Sequence, residues 1–388
     1  MLVVMIDLDR VAPPPEPAPR SRSWPAAVVA MALALLLTGA APIPRIAELR
    51  QVAVTAGEAG PWLLTSGALY STHSSANGRS DFDVVARSLT TGEALWQREV
   101  AWWGEVPVLT ETGTALVLAT RERAARPLVL DARTGADLVD PDTYTTARPA
   151  GERVLLWHEP TGRLSLYDPA ARRVAWQRKS DGLVDAAVTS DGRLLVLTGS
   201  DFVTLALSSG DLLGRVVRDE IWGRELSIAA TAGSSAYLLG RMNLNAVRLP
   251  GSPLWSAPLP LPGEAVPCGT RICVSGGVGL FALDPATGSI VWDNHDWVGG
   301  ADGLVRTRHG HVLRIDPETG RVRTDLGPGL PADDMLLRPG SGGVDLVDLT
   351  TGQIRAHQPG VQPGACRRAG EHLACQKDGG QVTVWRLP

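Results

Sequence analysis

The four cysteines are the first residues whose spacing suggests chemistry. Cys268 and Cys273 stand in "CGTRIC", and Cys366 and Cys375 in "CRRAGEHLAC". Each pair spans the junction of two short strand-like runs, where cross-strand thiols beside a tight turn come within bonding distance. An even count paired this locally suits an oxidising compartment, so two disulfides are expected. The competing chemistry is a four-cysteine zinc site. It fits poorly, because C-x4-C and C-x8-C miss the C-x2-C knuckle spacing and the two pairs lie far apart in the chain.

Other candidate ligands are sparser. His309 and His311 in "RHGHV" are two apart, which on a strand would place both imidazoles on one face. No third ligand accompanies them, and an exposed turn pair is the expectation. Asp293, His295 and Asp296 in "DNHDW" read as a polar connecting loop that bonds nearby backbone. Asn77, Asp81 and Asp83 make an oxygen-rich loop without the ligand spacing of an EF-hand. "PGSGG", at 339–343, lies between strands and opens no helix, so it is no phosphate cradle. No G-x-S-x-G elbow occurs. Trp102 and Trp103 in "AWWGE" are expected to pack into neighbouring structure, the other reading being an aromatic anchor for a partner or glycan. No catalytic or metal residue is therefore assigned.

The elements that carry these residues repeat. In "ALDPATGSIVWD" a strand ends at Leu283, and Asp284 and Pro285 break it. Thr287-Gly288 reverses the chain, with Gly free to adopt positive φ, and a returning strand carries Trp292. Related turns centre on Gly92, Gly135, Arg172, Gly210, Gly251, Gly288, Gly320 and Gly352, at spacings of 43, 37, 38, 41, 37, 32 and 32 residues between the successive glycine places. Trp occupies the fourth place after the turn at Trp96, Trp176, Trp255 and Trp292. A period near 40 with several short strands per unit is that of an all-β propeller of four-stranded blades.

After the eighth turn three strands remain without a fourth, and "LRQVAVT" near residue 50 has strand character without partners. The N-terminal strand is expected to complete the last blade and close the ring, which removes exposed edges. Taken literally the count is nine. Eight blades are favoured, within a range of seven to nine, because the two 32-residue spacings suggest one degenerate unit.

Composition sets location and excludes one partner class. The net charge is −4, so no basic field is available to hold nucleic acid. Residues 1–23 form a Pro-rich tail bearing Arg10, Arg20 and Arg22, expected to be disordered. Residues 24–41, "WPAAVVAMALALLLTGAA", carry no charge and are close to the length of a membrane-spanning helix. The positive-inside tendency keeps the tail cytoplasmic, and a linker at 42–48 leads to an exported propeller at 49–388. A cleaved signal peptide is the alternative, with small residues before Ala41.

The turns resemble the pyrroloquinoline quinone (PQQ) propeller repeat, of rough consensus "lyAlDaxTGxxxW". "LFALDPATGSIVW" at 280–292 is close to it, and "LSLYDPAARRVAW" and "VVARSLTTGEALW" are degenerate copies. The resemblance, spanning about residues 50–388, implies that each Trp docks on a neighbouring blade. It extends to the family's non-enzymatic BamB-type scaffolds and to membrane-anchored bacterial envelope proteins with PQQ-like repeats. Quinoprotein dehydrogenases of the family use an adjacent Cys-Cys disulfide and a calcium shell. This chain has no Cys-Cys pair, and no calcium shell can be carried over. The expectation is a membrane-tethered, non-catalytic binding or scaffold module of the cell envelope with an unidentified protein partner and no cofactor. The alternative is a PQQ-dependent oxidoreductase with a divergent site.

Overall fold

The computed structural model describes residues 49–387 except 56–58, 75–81, 102–107, 120–125, 141–142, 219–225 and 302. All fall within one compact unit, Ile46–Pro388. The apolar run at 24–41 lies outside the described residues. Among the described residues no helix is long and apolar enough to cross a membrane.

Nine antiparallel sheets form among the described residues. Blade 1 comprises Trp62–Leu64, Ala68–Ser74, Phe82–Ser88 and Ala94–Val100, each strand paired with the next. Blades 3 to 8 repeat that order, beginning at Thr146, Asp185, Ser227, Pro262, Trp297 and Leu330. Blade 9 has Cys366–Ala369, His372–Gln376 and Val382–Arg386, and its outermost strand is Arg50–Val54 from the other end of the propeller. Val54 faces Thr383 and Arg50 faces Arg386, so the expected closure by the N-terminal strand is found.

The core shows the closure independently. Nine buried apolar clusters occur among the described residues, and each lies between one blade and the next. Leu69 and Leu89 of blade 1 meet Ala374 and Val384 of blade 9, which joins last to first. Alternating apolar residues on the middle strands make this possible, because each sheet presents one apolar face to each neighbour. Side chains such as Leu155, Leu195 and Leu238 are fully buried in consequence.

Two expectations need correction. The ring has nine blades, not the favoured eight. The 32-residue spacings do not mark a missing unit. The last strand of blade 7, Val322–Pro328, passes through Gly329 alone into the first strand of blade 8, Leu330–Ala332. A short inner strand and a one-residue connection fit a whole blade into fewer residues. Blade 2 is the second departure. It has three strands, Val108–Thr112, Ala115–Ala119 and Leu128–Asp131, and its fourth is reduced to the bridge Leu130–Asp137. The sequence soon reaches Pro141, which has no N–H to offer a ladder.

Candidate functional site

The repeated motif builds a five-residue turn. Gly288 N–H donates to Asp284 O at 2.8 Å, and Gly135, Gly320 and Gly352 bond Asp131, Asp316 and Asp348 in the same way. Inside the turn, Asp284 Oδ1 accepts from the N–H of Ala286 at 2.9 Å and of Thr287 at 3.0 Å, and from the Thr287 hydroxyl at 3.1 Å. Asp348 Oδ1 does the same for Thr350, Thr351 and the Thr351 hydroxyl. In blade 1, Ser88 takes the Asp place and its hydroxyl accepts from Thr90 and Thr91, while Gly92 N–H bonds Ser88 O. Burial pushes the Asp284 carboxyl up, but the two backbone donors, the Thr287 hydroxyl and Arg271 outweigh it and hold the group below its ordinary value.

Each indole docks on the turn of the following blade. Trp96 Nε1–H donates to Ala132 O at 2.9 Å, Trp176 to Leu207 O at 3.0 Å, Trp255 to Pro285 O at 2.9 Å and Trp292 to Pro317 O at 2.9 Å. The acceptor is always three residues before the turn glycine. The ring then covers that glycine. A Cβ on Gly135, Gly210, Gly288 or Gly320 would approach the docked indole to 2.7, 2.6, 2.6 or 2.9 Å, closer than real Cβ contacts come. Glycine is thus needed twice, for φ near +70° and for the space the indole takes. Tyr70 and Tyr237 pack on Trp96 and Trp255 with ring centroids 6.1 and 5.9 Å apart.

Where the fastener is missing, other groups serve the joint. Arg314 of blade 7 reaches the equivalent carbonyl, Leu349 O, at 2.8 Å, and the space beside Gly352 stays open. At the joint of blades 4 and 5, Gly214 stands in the Trp place and lies against the Pro250-Gly251 backbone. Arg172, in the glycine place of blade 3, has φ 51° and pairs with Asp131 of blade 2 at 2.7 Å. At the closing joint, Gly92 lies against the backbone of Val52. Sequence reading missed Tyr70, Arg172 and Arg314 as joint residues. The signal for Arg314 was available, because it stands in a blade whose Trp place holds Thr324.

The cysteines form two disulfides, Cys268–Cys273 and Cys366–Cys375, each between the first and second strands of its blade. No cysteine is free. His309 is in a turn, and His311 opens a strand and bonds Asp325 at 3.1 Å. His295 bonds Val278 O at 2.9 Å and contacts Asp293 at 3.3 Å, and Asp296 N–H bonds Asn294. Asn77, Asp81, Trp102 and Trp103 lie outside the described residues, and Asp83 is on the third strand of blade 1. Among the described residues no three His, Cys, Asp or Glu side chains cluster as metal ligands do.

Among the concave sites of the described residues, one lies on the inner strands. A cavity of about 860 Å³ is lined from blades 2 to 6 by Val108, Thr110, Arg148, Asp185 and Leu226 among others. The first strands of these blades contact one another in sequence, which places the cavity at the ring's central channel. Arg148 of blade 3 crosses its joint, with Nε–H donating to Val184 O at 3.3 Å and Nη1–H to its neighbour Ala147 O at 3.0 Å. Asp185 of blade 4 crosses the next, accepting from Ile228 N–H at 2.8 Å on one oxygen and from Ala186 N–H at 2.9 Å on the other. Burial raises the Asp185 pKa in spite of these donors and nearby Arg148, and burial lowers that of Arg148. Neither residue was singled out from sequence. Their signal is a lone charge within an otherwise uncharged first strand, "TARPA" and "DAAV".

These features define a closed, nine-bladed all-β propeller whose repeated motif is structural. No protein-family model matches the chain, and no curated protein matches it. Among solved structures it is similar to BamB from Moraxella catarrhalis, at 18% identity over 87% of this chain and 100% of that one, with TM-score 0.48. It is also similar to Saccharomyces cerevisiae Sqt1, at 11% identity over 88% and 100%, TM-score 0.46. The C-terminal WD40 domain of Sif2 gives 10% identity over 88% and 99%, TM-score 0.45. The blade count and site geometry rest on this chain's own hydrogen bonds and contacts.

Proposed function

We propose that this chain is an exported, membrane-tethered propeller serving as a non-catalytic binding or scaffold module for another protein of the bacterial cell envelope. The observation that carries the reading is how the repeated residues are used. Asp284, Thr287, Gly288 and Trp292 and their counterparts are engaged in turns and blade joints, so the motif holds a platform together. The two disulfides favour an oxidising compartment. The uncharged run at 24–41 behind Arg10, Arg20 and Arg22 supplies the tether.

The test is crosslinking in intact cells followed by co-purification from membranes, with the full chain and its N-terminus checked by mass spectrometry. A reproducible envelope partner and an intact N-terminus are expected. A purified protein holding quinone and calcium tightly, with dye-linked turnover of an alcohol or sugar, would overturn the reading in favour of a quinoprotein.

A further inference from the structure

We propose that the central channel binds a free α-amino acid with a bulky apolar side chain, its carboxylate on Arg148 and its ammonium beside Asp185. The site is independent of the membrane tether and of any protein partner.

Arg148 and Asp185 sit on the first strands of adjacent blades and both line the same cavity. Arg148 uses Nε and Nη1 on two carbonyls, and among the described residues Nη2 has no acceptor. A guanidinium carries five N–H groups in a fixed fork, so the remaining donors suit a carboxylate. Asp185 is half-buried, and each of its oxygens takes one backbone N–H. A carboxylate has about four lone-pair sites, so both oxygens can accept again from a ligand.

The two charges act on each other without a direct ion pair. A simple anion would satisfy Arg148 but meet repulsion from Asp185, and a simple cation would meet the reverse. A zwitterion complements both, which matters in surroundings where an unpaired charge is costly. The rest of the wall is apolar or small, with Val108, Ala119 and Leu226 prominent. Val108 is 53% exposed, although it lines this cavity. A volume of about 860 Å³ falls within the range of about 300–1,000 Å³ usual for small-molecule sites, so a bulky side chain fits.

A latch between blades would use the same two residues structurally, so the test must separate the roles. Calorimetric titration of the full-length protein would compare L-phenylalanine, N-acetyl-L-phenylalanine and L-phenylalaninamide. Saturable binding of phenylalanine is expected, with each capped analogue at least tenfold weaker. Arg148→Met should abolish phenylalanine binding while the far-ultraviolet dichroism stays unchanged. Asp185→Asn should weaken phenylalanine and phenylalaninamide at least tenfold and leave N-acetylphenylalanine unchanged. Should Arg148→Met fail to fold, the analogue series and Asp185→Asn decide. No saturation with any of the three, equal affinity of the native protein for all three, or an Asp185→Asn protein that still prefers the ammonium over its acetylated form as strongly as the native protein does would overturn the proposal.

Discussion

The indole of Trp255 in blade 5 lies on the Cα of Gly288 in blade 6 and donates its N–H to Pro285 O at 2.9 Å. One contact joins a blade's outer strand to the next blade's turn, and it requires that the turn lack a side chain. The same pair recurs as Trp96 with Gly135, Trp176 with Gly210 and Trp292 with Gly320.

Replacing the glycine should therefore be worse than an ordinary turn substitution. Gly288→Ala places a methyl at φ 73°, within 2.6 Å of the indole. Left-handed backbone and overpacking together predict a loss of about 2–4 kcal/mol in denaturant unfolding. Gly352→Ala has the same backbone but open space. It should lose only the backbone part, about 1–2 kcal/mol. Equal losses at the two sites would show that the indole contact contributes nothing.

Arg314→Ala tests the substitute fastener. It removes a charged donor from Leu349 O and should cost about 1.5–3 kcal/mol. Arg314→Lys keeps the charge but not the reach of the planar fork, and should recover only part. Equilibrium urea unfolding measures both.

The joint of blades 7 and 8 should open first. Its fully buried cluster is only Val312, Leu336 and Val347, whereas the joint of blades 3 and 4 buries Leu155, Leu164, Leu166, Leu194, Val196 and more. Hydrogen exchange followed by mass spectrometry should find His311–Ile315 exchanging well before Arg193–Leu197. The reverse order would contradict the account of the joints.

Acid should weaken the turns. Asp316 is held below its ordinary value first by Arg323 and then by the Glu318 N–H, and Asp348 first by the Thr351 N–H, against burial. A depressed folded pKa gives stability that is present above the unfolded value and lost as pH falls through the folded one. Asp185 has the opposite sign. Burial raises its pKa, so its contribution declines as pH rises from near 3.8 through the higher folded value. Asp316→Asn with Asp348→Asn should flatten the acid limb of a stability–pH curve, and Asp185→Asn the limb above it.

Reduction tests the disulfides. They close loops of sequence separation 5 and 9, for which chain entropy predicts about 2–3 kcal/mol each. Native protein should take up no alkylating agent, and reduced, unfolded protein should take up four equivalents per chain, read by mass.

How legible the molecule was depends on the range of the interaction. Asp284, Thr287 and Gly288 act within one turn, so residue type and spacing were enough to find them. The half-kept copies were legible too, because Arg172 and Gly251 keep their register in the repeat. The blade count was read a unit short, because a blade closed through Gly329 alone does not differ in spacing from a defective one.

What the sequence by itself determined was the local chemistry: turns set by Asp and Gly, alternating strands, paired cysteines, and a first strand with nothing beside it to pair with. These follow from torsion angles and hydrogen bonds between near neighbours. Only the tertiary structure decided that the closed ring holds nine sheets and not eight, and that Arg314 does an indole's work. It alone brought Arg148 and Asp185 to one channel. Those outcomes depend on which blade lies next to which, and that is settled when apolar faces far apart in the chain bury each other.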